Sequence, residues 1–166
     1  KCYMMIDQSM EFTKTLAECF QERFEELGGE IVGTDNYMNG DPDFSAQIDK
    51  FINNDGGAEF MFFSSVPNDA GPLVLQYRDK GVELPIVSGD GFDTPLVAEV
   101  AGAQSYDVFV STHCSYTNEA ENVQNFVKAY TDAYGTAPEN AFAALGYDAM
   151  DLIGQALATV EDPTDT

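Results

Sequence analysis

Short apolar runs alternate with amphipathic stretches along this chain, a pattern typical of strands and helices arranged around a parallel sheet. The apolar runs predict five strands, at residues 2–7, 30–37, 58–64, 84–89 and 107–113. The third run, AEFMFFS, is apolar enough to be a central strand covered on both faces. The sequence therefore predicts an α/β protein.

Each predicted helix has apolar residues at spacings of three and four, which place them on one face. Gly28 and Gly29 are expected to end the first helix, and Asp43 or Ser45 to cap the second. Pro72 is expected in the first turn of the third helix, where proline is tolerated. The inward faces of the first two helices are predicted to be Phe12, Leu16, Phe20, Phe24 and Leu27, and Phe44, Ile48, Phe51 and Ile52.

Two long helices are predicted to close the chain, after a short helix at residues 95–101. Their inward faces are predicted to be Val123, Phe126, Val127, Tyr130 and Tyr134, and Phe142, Leu145, Ala149, Leu152, Ile153, Ala156 and Val160. We expect a single α/β lobe over residues 1–160 and a frayed tail at residues 161–166.

Five strands joined through helices by right-handed crossovers predict an open three-layer α/β/α sandwich with strand order 2-1-3-4-5. In such sheets, ligands bind beyond the carboxyl ends of the strands. Those ends are expected at residues 7–12, 64–68, 89–93 and 112–116. Because parallel strands end at one edge, residues 7–12 are predicted to lie near residues 89–93.

The composition is strongly acidic, with 29 Asp and Glu against 7 Lys and Arg and a formal net charge of −22. This charge repels phosphate backbones and argues against nucleic acid as a partner. A solvated acidic surface explains the charge, so we assign it no function. No stretch reaches the roughly 20 apolar residues that span a bilayer, so membrane insertion of this segment is not expected. The chain opens directly in a predicted strand, which favours a piece of a longer protein.

The sequence carries no recognisable signature of catalysis, cofactor binding or metal binding. GDGFDT has Thr94 in place of the third glycine of a dinucleotide loop, and DNYMNG has Tyr37 where a calcium loop needs an oxygen ligand. His113 and Cys114 are adjacent, so on an extended segment their side chains point to opposite faces and form no nucleophile–base pair. His113 is interpreted as a satisfied polar residue, with ligand contact as the alternative. We predict no enzymatic activity and no cofactor.

Three cysteines, Cys2, Cys19 and Cys114, form no CxxC motif and leave an odd one. They therefore indicate neither a zinc site nor a disulfide framework. We expect buried free thiols, with a bridge between Cys2 and Cys19 only if strand and helix set them face to face.

Asp90 lies between two glycines in the stretch VSGDGFD, directly after the fourth predicted strand. One interpretation is a cap or turn residue, although Asp93 or Thr94 is better placed to cap the next helix. The other is a carboxylate at the mouth of a crevice that pairs with an ammonium group. The flanking glycines favour it because they let other groups approach the backbone. The pattern leaves both interpretations open.

Several motifs in this order resemble the branched-chain amino acid type of substrate-binding proteins for ABC importers, whose type member is the leucine/isoleucine/valine-binding protein. They are ELGGEIV, GDPDFSAQI, SSVPNDAG, QYRDKGVELPIVSGDG and PENAFAALGYDAMDLIGQA, together with Phe12 after the opening strand. The resemblance covers nearly the whole chain. It implies one lobe, the second, of a type I periplasmic binding protein fold.

Proteins of this type trap a small ligand between two lobes that close by a hinge, and present the closed form to a membrane permease. The resemblance thus implies a periplasmic or otherwise extracytoplasmic receptor that binds an amino acid or a related small polar molecule. It implies an ABC permease as the partner of the full-length protein. A ligand-sensing domain of a membrane signalling receptor is the alternative, because the same fold serves signalling. A flavodoxin-like enzyme is a third hypothesis, against which the missing phosphate loop argues.

The resemblance also implies four ligand-binding residues. Phe12 is the aromatic residue after the first strand, and Val66, with Ser65 beside it, supplies the side chain after the third. Asp90 is the acid that holds an α-ammonium group. Phe12 stands where tyrosine is common and Val66 replaces a larger aromatic residue, so a ligand bulkier or less polar than leucine, including one that is not an amino acid, would fit these changes.

Overall fold

A computed structural model of the chain describes residues 1–160 as strands and helices in alternation. The strands are β1 (Cys2–Asp7), β2 (Ile31–Tyr37), β3 (Phe60–Ser64), β4 (Ile86–Ser88) and β5 (Val108–Val110). The helices are α1 (Glu11–Glu26), α2 (Ser45–Asn53), α3 (Pro67–Asp79), α4 (Leu96–Ala101), α5 (Glu121–Tyr134) and α6 (Phe142–Thr159). The chain divides into two compact units, Lys1–Ser111 and a second that begins at Thr112.

The first unit contains one five-stranded sheet in which every pair of neighbouring strands is parallel. Its order is β2-β1-β3-β4-β5, which confirms the predicted 2-1-3-4-5 arrangement. β5 is shorter than predicted, since only Val108–Val110 pair with β4.

Helices cover both faces of this sheet. Successive side chains of a strand point to opposite faces, so a central strand contributes to two buried clusters. Tyr3 and Met5 of β1 face a large buried cluster with residues of α2 and α3. Met4 of β1 and Phe62 of β3 face a smaller cluster with α1, in which Phe20 stacks on Phe62 with ring centroids 3.7 Å apart. The first unit is therefore the predicted three-layer α/β/α sandwich.

The predicted inward faces of α1 and α2 are correct in the middle and wrong at the ends. Phe44, Ile48 and Phe51 are buried, whereas Ile52 is 48% exposed. Phe12 is 44% exposed and Leu27 is 70% exposed. These last two residues lie in the first turn of α1 and at its C-cap, so they extend past the sheet that buries the middle of the helix.

The start of α3 corrects the prediction for Pro72. The helix begins at Pro67, so Pro72 lies inside it rather than in its first turn. Either proline satisfies the sequence preference for the first helical position, and the structure uses the earlier one. At α2, Phe44 occupies the cap position, while the Asp43 carboxylate accepts a hydrogen bond from the Ser45 N–H at 2.9 Å.

Arg78, near the end of α3, is a buried arginine that ties this helix to the segments before β4 and β5. Its guanidinium donates to the carbonyl oxygens of Val82 at 2.7 Å, Leu84 at 2.9 Å and Tyr106 at 3.0 Å. It also lies over the Tyr106 ring, 4.5 Å from the centroid. The planar fork suits this task because it donates in several directions at once.

The second unit contains α5 and α6. Phe126 of α5 is buried, as predicted, but Tyr134 is 71% exposed. The predicted inward face of α6 is wrong, since its large apolar residues are exposed and Ala144 is the helix's buried residue within the described chain. Exposed residues of the predicted face include Phe142, Leu145, Leu152 and Ile153 within the helix and Val160 directly after it.

The single lobe over residues 1–160 stays a prediction, and the predicted tail at residues 161–166 lies outside the described residues. Within residues 1–160, no helix combines the length and apolar character needed to cross a membrane.

The three cysteines are free. Cys2 is buried as predicted, and burial raises the pKa of its thiol to about 12. Cys19 is exposed and Cys114 is only partly buried, so the prediction of buried thiols was wrong for these two.

Candidate functional site

The four residues implied by the resemblance lie after the carboxyl ends of three adjacent strands. Phe12 is in the first turn of α1, Ser65 and Val66 link β3 to α3, and Asp90 follows β4. β1 and β4 flank β3, and all three strands are parallel, so these residues share one edge of the sheet. The predicted placement of residues 7–12 and Asp90 at one edge is therefore confirmed.

The glycines beside Asp90 are the sites of close contacts with two neighbouring elements. A Cβ atom on Gly89 would lie 2.8 Å from the side chain of Leu16, one turn after Phe12 on α1. A Cβ atom on Gly91 would lie 2.0 Å from the carbonyl oxygen of Ser65. Glycine at both positions thus lets α1 and the β3–α3 loop pack directly against the turn that carries Asp90.

Asp90 opens a short 3-10 turn, Asp90–Phe92, and is partly exposed. Its backbone holds the turn, since its carbonyl oxygen accepts from the Asp93 N–H at 3.0 Å. At the following helix, α4, it is Thr94 whose hydroxyl accepts from the Leu96 N–H, at 3.3 Å. Pro95, the residue after Thr94, occupies the N-cap position of that helix.

The other three predicted site residues differ in exposure. Phe12 and Val66 present apolar surface at the edge. Ser65 is fully buried, and its hydroxyl accepts a hydrogen bond from the Tyr37 hydroxyl at 2.6 Å. The same hydroxyl donates to the Val66 carbonyl at 3.2 Å. The Ser65 side chain thus points into the protein, while Val66 and Phe12 reach the surface.

Two buried hydroxyls fix the first turn of α1, which carries Phe12. Thr13 donates to the carbonyl oxygen of Asp7 at 2.7 Å, with the Met10 carbonyl 2.9 Å away. Ser64, the last residue of β3, donates to the Thr13 carbonyl at 2.6 Å. Sequence reasoning missed both, although hydroxyls at the boundary of an apolar run such as FMFFSS were a signal.

A buried acidic pair lies at the same edge. The Asp7 Oδ1 atom accepts from the Ser9 N–H at 2.8 Å and from the Asn39 N–H at 3.0 Å. The Asp69 carboxylate accepts from the Asn39 side chain at 2.9 Å and from the Gly40 N–H at 3.1 Å. Burial raises the pKa of Asp69, and the nearby Asp7 adds to the rise. The pair thus anchors the loop between β2 and α2.

The remaining predicted ligand candidate, His113, lies in the second unit and is exposed. Over residues 1–160, no group of three or more His, Cys, Asp or Glu side chains is arranged to hold a metal ion.

Similarity to known proteins agrees with this geometry. The sequence matches the periplasmic binding protein family over residues 1–166. The Leu/Ile/Val-binding protein homolog 1 of Brucella suis is 26% identical over 152 residues, which cover 92% of this chain and 40% of that protein. An amino acid binding protein of Pseudomonas aeruginosa is 33% identical over 91 residues, which cover 55% of this chain and 24% of the relative.

Solved structures of substrate-binding proteins are also similar to this chain. A leucine binding protein from Thermotoga maritima is 27% identical, with a TM-score of 0.82 over 95% of this chain and 44% of that one. A branched-chain amino acid transporter substrate binding protein from Streptococcus pneumoniae, in complex with isoleucine, is 28% identical, with a TM-score of 0.81 over 97% of this chain and 45% of that one. The chain thus spans less than half the length of these relatives.

The predicted resemblance is confirmed by the family match, the related sequences and the solved structures. The parallel sheet of order 2-1-3-4-5 with helices on both faces is the fold of a type I periplasmic binding protein lobe. Because the family match extends over the entire sequence, the chain belongs to the periplasmic binding protein family.

Proposed function

We propose that the chain is the part of an extracytoplasmic solute receptor that supplies the ammonium-binding side of its ligand site. The receptor delivers an amino acid or a related small polar molecule to an ABC importer. The observation that carries this proposal is the position of Asp90, a carboxylate held at the carboxyl edge of the sheet between close contacts to α1 and to the β3–α3 loop.

The chemistry of this edge suits an amino acid. A carboxylate pairs with an ammonium group most strongly where water is excluded, and closure of a second body over the edge supplies that exclusion. Phe12 and Val66 add apolar surface beside Asp90, which suits an aliphatic or aromatic side chain of the ligand. Names of relatives support this class, since they include Leu/Ile/Val-binding and leucine binding proteins.

A binding role without catalysis fits the same observations. The relatives are solute-binding proteins, and family membership supports an extracytoplasmic location and an ABC permease as partner of the full-length protein. The edge offers the partly exposed Asp90 carboxylate and apolar surface from Phe12 and Val66, a set suited to holding a ligand.

A thermal-shift screen of the full-length protein against amino acids and other small metabolites tests this proposal. We expect stabilisation by compounds that carry an ammonium group, beginning with L-isoleucine, L-leucine and L-valine. Deaminated analogues such as 3-methylpentanoate serve as matched controls and should stabilise the protein far less. A set of ligands that all lack a cationic nitrogen would contradict the assignment of Asp90, and turnover of a ligand would contradict the absence of catalysis.

A further inference from the structure

Tyr37, the last residue of β2, is buried at the edge of the sheet but linked to the candidate ligand site. It is 3% exposed, and its ring packs edge-on against Phe44 with centroids 5.2 Å apart. Its hydroxyl donates to the Ser65 hydroxyl at 2.6 Å. Burial raises the pKa of Tyr37, so the hydroxyl keeps its proton and remains a donor.

The hydrogen bond from Tyr37 to Ser65 spans β1. Tyr37 pairs in register with Asp7 of β1, and Ser64, the residue before Ser65, pairs with Ile6 on the other side of that strand. The backbone carbonyl of Tyr37 also accepts from the Gln8 N–H at 2.9 Å. Tyr37 therefore links the ends of three strands at the level of the predicted site.

Ser65 transmits this link to Asp90. A Cβ atom on Gly91 would lie 2.0 Å from the Ser65 carbonyl oxygen and 3.3 Å from the Val66 Cα atom. The β3–α3 loop and the turn of Asp90 are thus in direct backbone contact, with no flexible side chain between them. A shift of Ser65 toward the turn would therefore displace Gly91 and, with it, Asp90.

We propose that Tyr37 is a positioning residue for the ligand site. It sets the spacing between Val66 and the Asp90 carboxylate through Ser65 and Gly91, without contacting the ligand. The inference rests on the proposed function in treating Asp90 and Val66 as ligand-binding residues. A buried, charge-binding site loses affinity when its groups are displaced, because the gain from a charge pair depends on distance and orientation.

Tyr3 provides a matched control for Tyr37. It is also buried, and its hydroxyl donates to the Asp35 carboxylate at the same distance, 2.6 Å. Tyr3 lies near the amino end of β1, away from the edge where Asp90 lies. Tyr3→Phe therefore removes a buried tyrosine hydrogen bond, here one to a carboxylate, without disturbing the predicted site.

The first measurement is hydrogen exchange in the ligand-free, full-length protein. The Phe92 and Asp93 N–H groups hold the turn of Asp90, donating to Gly89 at 3.1 Å and to Asp90 at 3.0 Å. Tyr37→Phe should speed exchange of these amides by about ten-fold, as expected for loss of roughly one hydrogen bond, whereas Tyr3→Phe should leave them unchanged. Unchanged exchange in Tyr37→Phe, or equal acceleration in both variants, overturns the proposal.

The second measurement is calorimetry with L-isoleucine. Tyr37→Phe should weaken binding by about five- to ten-fold, and Tyr3→Phe by less than about two-fold even if both lower the melting temperature equally. In an Asp90→Asn background, Tyr37→Phe should change affinity by less than about two-fold, because its effect acts through Asp90. Full additivity of the two changes overturns the positioning role. If wild type binds no branched-chain amino acid and Asp90→Asn has no effect on any amine ligand, the proposed function fails, while exchange still decides the link from Tyr37 to the turn.

Discussion

Asp90→Asn in the full-length protein tests the charge of the candidate site with minimal disturbance of the fold. The substitution keeps the shape of the side chain and removes its negative charge. Two backbone hydrogen bonds of the turn, between Phe92 and Gly89 at 3.1 Å and between Asp93 and Asp90 at 3.0 Å, are kept by the substitution. Asp90 is partly exposed, outside the buried core. We therefore expect the free energy of unfolding to change by less than about 0.5 kcal/mol.

The expected effect on binding depends on how far closure of the receptor removes water from the pair formed by Asp90 and the ligand's ammonium group. Two opposite charges 4 Å apart attract by about 1 kcal/mol in water and by about 4 kcal/mol at the effective dielectric near a protein surface. Loss of one partner from a buried, hydrogen-bonded charge pair costs about 2–5 kcal/mol, or roughly a thirty-fold to several-thousand-fold loss of affinity. An exposed pair contributes only about 0–1 kcal/mol, so the size of the loss distinguishes the two situations.

The assay is calorimetric titration of wild type and variant with L-isoleucine and with 3-methylpentanoate, which lacks the ammonium group. Asp90→Asn should weaken binding of the amino acid and leave any binding of the analogue unchanged. Asp93→Asn, a partly buried carboxylate near the same turn, is the matched control and should have less than about a five-fold effect. Equal affinities of wild type and Asp90→Asn for an amine ligand would refute the reasoning and return Asp90 to a turn residue.

Three further predictions concern stability and the completeness of the site. Tyr77→Phe should leave the urea-unfolding free energy unchanged or raise it by up to about 1 kcal/mol, because the Tyr77 hydroxyl is buried without a hydrogen-bond partner among residues 1–160; a loss above about 1 kcal/mol would contradict this. Arg78→Lys should lower it by about 2 kcal/mol, because lysine cannot reproduce three hydrogen bonds and the contact with Tyr106, and a loss under about 0.5 kcal/mol would refute that account. The 166-residue chain alone should bind L-isoleucine no tighter than about 1 mM by calorimetry, because one side of a cleft leaves the charge pair in water; micromolar affinity would contradict the half-site interpretation.

The sheet could be predicted from the sequence because its central strands are continuous apolar runs. β1 and β3 carry CYMMID and FMFFS, and both are buried on two faces by helices that the sequence marks with their own periodicity. The predicted positions of helix ends were less accurate. Pro67 and Pro72 are both acceptable in a first helical turn, and no local rule decides between them.

The exposed face of α6 shows a different limit of sequence reasoning. Its apolar residues recur with helical period, and periodicity identifies the helix correctly. Periodicity says that such a face is suited to burial, but it does not say which surface covers it. The prediction that Leu152 and Ile153 face the interior of this chain therefore failed, although the helix itself formed as predicted.

The edge position of Asp90 was predictable, whereas its supports were not. Topology alone places the residue after β4 at the same edge as the residue after β1. The hydrogen bond from Tyr37 to Ser65 depends instead on the register of two strands that flank a third, and these residues are 28 positions apart in sequence. The sequence predicts Tyr37 at the end of the second strand, but its burial and its orientation toward Ser65 appear only in the folded chain.

The two glycines around Asp90 differ in how strictly their surroundings exclude a larger side chain. Gly89 faces the end of the Leu16 side chain, which can rotate to admit a methyl group at modest cost. Gly91 faces a backbone carbonyl at 2.0 Å from the position of a Cβ atom, and that carbonyl belongs to Ser65, whose hydroxyl is already held by Tyr37. Glycine at position 91 therefore lets the turn of Asp90 pack directly against the backbone of the β3–α3 loop, which is the contact that the proposed positioning role of Tyr37 requires.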